Sequence, residues 1–231
     1  MSEITSAEWT AILLSLRVAV IATLVATPFG IALAWLLARY HFWGKSVLDA
    51  LVHLPLVLPP VVTGYLLLLT LGKRGLVGAW LADNLGIVFA FRWTGAALAC
   101  GVMAFPLLVR PIRLSIEAVD RRLEQAASTL GAAPWKVFAT VTLPLALPGI
   151  LAGMVLGFAK AIGEFGATIT FVSNIPGETQ TISSAIYSLI QTPDGDAAAL
   201  RLVTVSVVIA MAALIGSEWF ARRATRRLHG N

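Results

Sequence analysis

The sequence predicts an all-α integral membrane protein, a single-domain bundle of about five transmembrane helices spanning residues 1–231. Two observations predict this class. Hydrophobic residues make up 58% of the chain and charged residues only 13%, whereas a soluble domain has roughly 45–50% and about 25%. Long uncharged segments also follow one another from end to end without a polar linker, which favours one domain. A chain with so little charge lacks the polar surface that a water-soluble fold needs.

Five segments have enough apolar length to cross the bilayer, which takes about 20 residues. We place these spans near residues 14–38, 48–72, 92–110, 141–163 and 198–220. The third is short and needs its flanks to reach the full thickness. The fifth is the weakest, because it requires Arg201 and Glu218 to lie at the two membrane interfaces.

The distribution of basic residues predicts the orientation of these spans. Eleven of the 17 lysines and arginines fall on one side: two after the first span, five after the third and four after the fifth. They are Arg39, Lys45, Arg110, Arg113, Arg121, Arg122, Lys136, Arg222, Arg223, Arg226 and Arg227. Because basic residues collect in the cytoplasm, we expect the N-terminus outside and the C-terminus in the cytoplasm. The net charge of +5 then reports topology and predicts no binding to nucleic acid.

Two spans contain proline or small residues that affect the shape and the packing of a helix. In the second, Pro55, Pro59 and Pro60 remove backbone donors and predict a kink. In the fourth, small residues recur every fourth position and so share one helix face. They are Gly149, Gly153, Gly157 and Ala161. This face suits either a moving subunit interface or pore lining, or static packing, and the sequence does not decide between them.

Lys160 and Glu164 lie one helical turn apart near the outer end of the fourth span. Charged residues inside a membrane usually face the bundle interior and pair with one another. Two interpretations follow: the pair borders a solute path, or it is a local pair that caps the helix end. The single cysteine, Cys100, and the three scattered histidines predict neither a disulfide nor a metal site.

The cytoplasmic loop 110–140 contains a short amphipathic helix. Asp120 is suited to cap its start, and Gly131 to end it. Leu123, Ala126, Ala127 and Leu130 form an apolar stripe at helical spacing. A short helix of this kind suits a hydrophobic groove on a partner protein.

At this loop the sequence resembles the binding-protein-dependent ABC importer permeases. Their loop carries the pattern E-A-A-x3-G-x9-I-x-L-P, and this chain matches it with two departures, Gln125 for the glutamate and Val141 for the isoleucine. The matching residues are Ala126, Ala127, Gly131, Leu143 and Pro144. Glu124 lies one residue before the glutamate position, about 100° away on a helix.

Within this family the chain is most similar to the molybdate permeases. The segments that carry the similarity are His53-Leu-Pro-Leu-Val-Leu-Pro-Pro, Gly163-Glu-Phe-Gly-Ala and Phe171-Val-Ser-Asn-Ile-Pro-Gly-Glu-Thr. The sulfate permeases share the second of these but not the Ile-Pro-Gly-Glu-Thr continuation with Ile190-Gln-Thr-Pro. The resemblance therefore implies molybdate as the transported anion, with sulfate or tungstate as the alternatives.

The resemblance also implies an assembly in the bacterial inner membrane. Its expected components are a homodimer of this chain, two cytoplasmic ABC ATPases that use ATP and Mg, and a periplasmic oxyanion-binding protein. The loop helix and its flank would couple to the ATPase through Glu124, Gln125, Ala126, Ala127, Gly131, Leu143 and Pro144. This chain would itself be neither an enzyme nor a cofactor-binding protein.

The sequence contains no P-loop, which agrees with an energy source in another subunit. A P-loop requires G-x4-G-K-[ST], and the only Gly-Lys-Ser, at Gly44, has Arg39 where the first glycine belongs. An ion-driven secondary transporter is a rival class, but such proteins show inverted repeats, and five spans do not divide into equal halves. An intramembrane enzyme is a second rival, but neither H-E-x-x-H nor G-x-S-x-G occurs.

Overall fold

The structure, a computed structural model, describes residues 4–228 and the side chains of residues 4–216. Within these residues it consists of helices and connecting turns, with no strand. The helices are α1 (Ser6–Arg39), α2 (Lys45–Val57), α3 (Pro60–Leu71), α4 (Leu76–Leu85), α5 (Trp93–Ala118), α6 (Arg121–Thr129), α7 (Pro134–Val137), α8 (Leu143–Leu145), α9 (Leu147–Ile162), α10 (Gly166–Val172), α11 (Ile182–Leu189) and α12 (Asp196–Leu228). A π-helical turn, Phe138–Thr142, joins α7 to α8.

Among the described residues, three helices are long and apolar enough to cross a membrane alone: α1, α5 and the part of α12 up to Gly216. Two bent pairs raise the number to five if each pair is one span. These pairs are α2 with α3, bent by 114°, and the segment Pro134–Leu145 with α9, bent by 69°. Five apolar segments were predicted, and the structure has a helix or a bent pair at each.

The bounds of the predicted spans need correction at three places. The spans expected at 48–72 and 141–163 are each two helices and not one straight helix, because prolines and the turn at Ala146 break them. Helix α5 runs to Ala118, so the loop expected at 110–140 begins only after it. Glu218 and the last four arginines that we expect on the cytoplasmic side lie outside the residues whose side chains are described. They are Arg222, Arg223, Arg226 and Arg227.

Helix α5 lies at the centre of the bundle, and two glycines allow α1 and α9 to approach it closely. A Cβ atom at Gly30 of α1 would collide with the Leu108 side chain, and one at Gly153 of α9 would lie 2.6 Å from the Leu108 carbonyl oxygen. Leu108 is completely buried. Small residues let helix backbones meet in a membrane where no hydrophobic effect drives them together, and Leu108 is the residue that both helices meet.

The four-residue stripe predicted on the fourth span faces α5 along its whole length. Gly149 lies against Ser115, Gly157 lies against Ala104, and the Ala161 carbonyl accepts a hydrogen bond from the Cys100 thiol at 3.6 Å. The stripe therefore packs two helices of one chain. Of the two interpretations left open by the sequence, static packing is the one that this structure supports.

The break between α2 and α3 is stabilised by contact with α10. Pro60 occupies the first position of α3, where its missing N–H costs nothing. A Cβ atom at Gly166 would lie 2.7 Å from the Pro60 side chain, and one at Gly64 would lie 2.5 Å from the Ala167 carbonyl oxygen. The predicted kink is thus a full change of direction, and glycines on both sides make room for it.

A short helix, α11, lies between α10 and α12. Thr181 caps it by accepting a hydrogen bond from the Ser184 amide, at 3.5 Å, and the Ile182 amide donates to the Ser15 hydroxyl of α1, at 2.7 Å. Helices α4 and α10 were not predicted from the sequence. Both are short, with 10 and 7 residues, and their apolar content merges with that of their neighbours.

We expect Gly153→Leu to destabilise the chain, because the new side chain would meet the α5 backbone at Leu108. Overpacking of this kind costs about 1–3 kcal/mol, which corresponds to a fall of about 5 °C in the melting temperature of a protein of this size. Thermal unfolding of the purified protein measures this change in melting temperature. The matched control is Gly216→Leu in α12, where no atom lies within 4 Å of the added Cβ. Equal melting temperatures for the two variants would contradict the packing described here.

Candidate functional site

Helix α6 has the boundaries that its capping residues dictate. The Asp120 side chain accepts a hydrogen bond from the Arg122 amide at 2.9 Å, which satisfies one of the free donors of the first turn. Gly131 has a φ of 84°. Its amide donates to the Ser128 carbonyl at 3.0 Å, and the Ala132 amide donates to the Ala127 carbonyl at 3.2 Å. These two bonds form a Schellman motif, so both predicted caps are confirmed.

The apolar stripe of α6 faces away from the bundle. No residue of α6 is buried, and Leu123 is 49% exposed. Leu130, just beyond the last turn, is 89% exposed. Gln125 and Ala126 are exposed and Ala127 is half-buried. An exposed apolar stripe on a short polar helix is a candidate contact for a partner protein.

The other two residues of the predicted coupling set lie apart from this surface. Leu143 and Pro144 begin α8, directly after the π-helical turn. Leu143 packs partly buried against the core that surrounds Ile112 and Ile150, whereas Pro144 is exposed. The pattern that the sequence shows as one motif is therefore divided between an exposed helix and the base of α9.

Glu124 points from α6 toward the bundle and joins three parts of the chain. Its Oε1 atom accepts hydrogen bonds from Arg39 Nε at 3.2 Å, Arg39 Nη2 at 2.9 Å and Thr142 Oγ1 at 2.6 Å. Arg39 Nη2 also donates to the Val119 carbonyl oxygen at 3.2 Å. Arg39 is the last residue of α1 and Thr142 the last of the π-helical turn. We call Arg39, Glu124 and Thr142 the Glu124 joint.

A recess of about 520 Å³ lies beside the Glu124 joint. Its wall includes Trp35 of α1 and Phe138 of the π-helical turn, whose ring centroids lie 5.4 Å apart. Aromatic packing thus supports the same two elements that the carboxylate connects. The sequence pattern indicated Glu124 but neither Arg39 nor Thr142. Arg39 is 85 residues away from Glu124, and its only sequence signal is a charge at the end of an apolar segment.

Lys160 and Glu164 form the predicted pair. Lys160 Nζ donates to Glu164 Oε2 at 2.7 Å, and the side chains are 29% and 1% exposed. Glu164 Oε1 accepts a second hydrogen bond, from the Ala167 amide in the first turn of α10, at 3.0 Å. Glu164 therefore has a structural role, and part of the Lys160 side chain remains exposed.

The depth of this pair follows from its neighbours on α5. The thiol of Cys100 bonds to the Ala161 carbonyl, and Cys100 comes seven residues after Trp93, the first residue of α5. At 1.5 Å per residue this is about 10 Å along the helix. The pair thus lies well inside the length of α5 and not at its end.

A family model described as "Binding-protein-dependent transport system inner membrane component" matches residues 26–226. The chain is 61% identical over 224 residues to the molybdenum transport system permease protein ModB of Escherichia coli (strain K12), covering 97% of this chain and 98% of that one. It is 56% identical over 221 residues to ModB of Haemophilus influenzae, 96% of each chain. It is also 36% identical over 213 residues to the sulfate transport system permease protein CysT of Escherichia coli (strain K12), 92% of this chain and 76% of that one.

Two solved structures share the fold. A bacterial alginate ABC transporter in complex with an alginate-bound periplasmic protein matches with a TM-score of 0.75 and 19% identity over 96% of this chain and 81% of that chain. The MetNI methionine ABC transporter in an inward-facing conformation matches with a TM-score of 0.69 and 14% identity over 98% of this chain and 100% of that chain. The sequence and the fold agree, and the chain belongs to the family of inner membrane components of binding-protein-dependent transport systems.

Proposed function

We propose that this chain is the membrane-spanning permease of an ABC importer that translocates molybdate. The observation that carries the proposal is the 61% identity, over nearly the whole of both chains, to a molybdenum transport permease. The whole bundle, including α6 and the Lys160–Glu164 pair, falls within that similarity. The chain provides the pathway, and ATP and Mg are used by a separate ATPase.

The proposed assembly is a homodimer of this chain with two ATPase subunits and a periplasmic oxyanion-binding protein. The exposed apolar stripe of α6 supports the ATPase contact, because a short amphipathic helix fits a hydrophobic groove. The distribution of basic residues supports a cytoplasmic position for α6 and an external N-terminus. ATP binding would close the ATPase pair and move the two α6 helices, and hydrolysis would return the pathway to the inside.

Lys160 is our proposed contact for the anion within the pathway. An ammonium group lowers the electrostatic cost of a dianion in a low-dielectric passage, and the Lys160 side chain is 29% exposed. Its salt bridge to Glu164 weakens the field that the anion would meet. A conduit must bind weakly enough to release, so this partial cancellation suits transport.

Sulfate is the second candidate substrate, because the chain is 36% identical to a sulfate permease over 92% of its length. Sulfate and molybdate are both tetrahedral dianions, and neither recess found among the described residues has a lining that distinguishes them. We therefore place the selectivity in the binding protein. An ion-gradient-driven transporter is the remaining alternative from another class.

The substrate proposal is tested by uptake of radioactive molybdate into proteoliposomes that contain this chain and its ATPase. We expect uptake that requires internal ATP and the external binding protein, that tungstate inhibits and that excess sulfate inhibits weakly. A non-hydrolysable ATP analogue is the control. Faster uptake of sulfate than of molybdate would contradict the substrate, and uptake driven by an ion gradient without ATP would contradict the transport class.

The path proposal is tested by Lys160→Met, which keeps the length of the side chain and removes its charge. We expect uptake to fall about tenfold, equivalent to about 1.4 kcal/mol, while the complex with the ATPase still assembles. Lys73→Met, at an exposed lysine of the loop before α4, is the matched control and should transport normally. Normal uptake by Lys160→Met, or its failure to assemble, would show that the pair with Glu164 is purely structural.

A further inference from the structure

The Glu124 side chain lies on a different side of α6 from Ala126, a residue of the proposed ATPase contact. Successive residues of an α-helix are turned by about 100°, so Ala126 lies about 160° around α6 from Glu124. The structure agrees, since Ala126 is exposed whereas the Glu124 side chain is only 19% exposed. One face of α6 is thus free for a partner, and the other is held by the bundle.

The hydrogen bonds of the Glu124 joint are strong. All three reach a single carboxylate oxygen, and two of them come from one guanidinium group. Hydrogen bonds to charged groups are stronger than those between neutral groups, and this pair is largely shielded from solvent because the Arg39 side chain is only 10% exposed. Arg39 also holds the Val119 carbonyl, in the link between α5 and α6. The joint therefore restrains α6 at both its N-terminal link and its first turn.

Thr142 gives the joint a connection to the pathway helix. It ends the π-helical turn Phe138–Thr142, and turns of this type are often found at functional sites. Four residues further on, Ala146 marks the 69° bend that leads into α9. Helix α9 carries Lys160 at its other end. A displacement of Glu124 would therefore act on the base of the helix whose far end we place in the pathway.

We propose that Glu124 is a positioning residue that transmits movement of α6 to α1 through Arg39 and to α9 through Thr142. This inference rests on the proposed function, since it assumes that α6 receives movement from an ATPase. Without the carboxylate, α6 still docks through its outer face, but its movement is no longer passed to the two helices. In this proposal the residues of the outer face bind the ATPase, and Glu124 connects α6 to the bundle through Arg39 and Thr142.

The test compares Glu124→Gln with Glu117→Gln in the assembled complex. Glu117 forms an exposed ion pair with Arg113 at 2.8 Å near the end of α5, so its substitution is a matched loss of one carboxylate. We expect Glu124→Gln to co-purify with the ATPase and to lower the number of anions transported per ATP hydrolysed by about tenfold. Glu117→Gln should leave this ratio unchanged.

A double-mutant cycle with Arg39→Gln shows whether the two residues act together. If they do, the double variant transports as many anions per ATP hydrolysed as the more impaired of the two single variants, Glu124→Gln and Arg39→Gln. Effects that multiply would overturn the proposal, and so would an unchanged ratio in Glu124→Gln. Loss of the ATPase from the Glu124→Gln complex would also overturn it, because Glu124 would then be a docking residue.

Amide hydrogen exchange gives a readout that does not depend on the substrate. Glu124→Gln should speed exchange in residues 134–142 and at the end of α1, and Glu117→Gln should not. If the wild-type complex imports no molybdate, the proposed function fails while the exchange comparison still decides the role of Glu124. If exchange in both segments is unchanged, the inference fails whatever the substrate is.

Discussion

The packing of α1 and α9 on Leu108 of α5 is the constraint on which the rest of the bundle depends. Gly30 and Gly153 approach this residue from two helices, and neither position has room for a Cβ atom. Because both helices are fixed at the middle of α5, their ends on each side of the membrane are fixed as well. The end of α1 at Arg39 and the base of α9 near Thr142 thus come close enough to share Glu124.

Ion pairs connect the helices at several places, among them Asp49 of α2 with Arg113 of α5 at 2.9 Å. Glu8 of α1 accepts from Arg201 of α12 at 2.7 Å, Lys160 and Glu164 join the end of α9 to the start of α10, and Arg39 and Glu124 join α1 to α6. A charge within a membrane is costly unless it has a partner. Of these pairs, the one at Glu124 connects the bundle to α6, whose apolar stripe we propose as the ATPase contact, which is why we assign the transmission of movement to it.

The sequence predicted those parts of the molecule that depend on near neighbours in the chain. The five apolar segments, the caps of α6 at Asp120 and Gly131, and the Lys160–Glu164 pair all follow from spacing of a few residues. The 114° bend after Val57 did not, because its angle depends on contact between Pro60 and Gly166. The sequence also did not predict the partner of Glu124. Arg39 served there only as a basic residue that indicates the orientation of the spans.

The central claim, that the exposed face of α6 receives the ATPase, is tested most directly by site-specific cross-linking. The only cysteine, Cys100, is buried and is replaced by alanine, and Ala126→Cys is then labelled with a photoreactive maleimide in membranes that contain the complex. We expect a cross-link from position 126 to the ATPase. The control is Leu76→Cys, an exposed position at the start of α4 that we expect on the outer side of the membrane, and it should give no cross-link. An assembled complex in which position 126 gives no cross-link, or position 76 does, would contradict this claim.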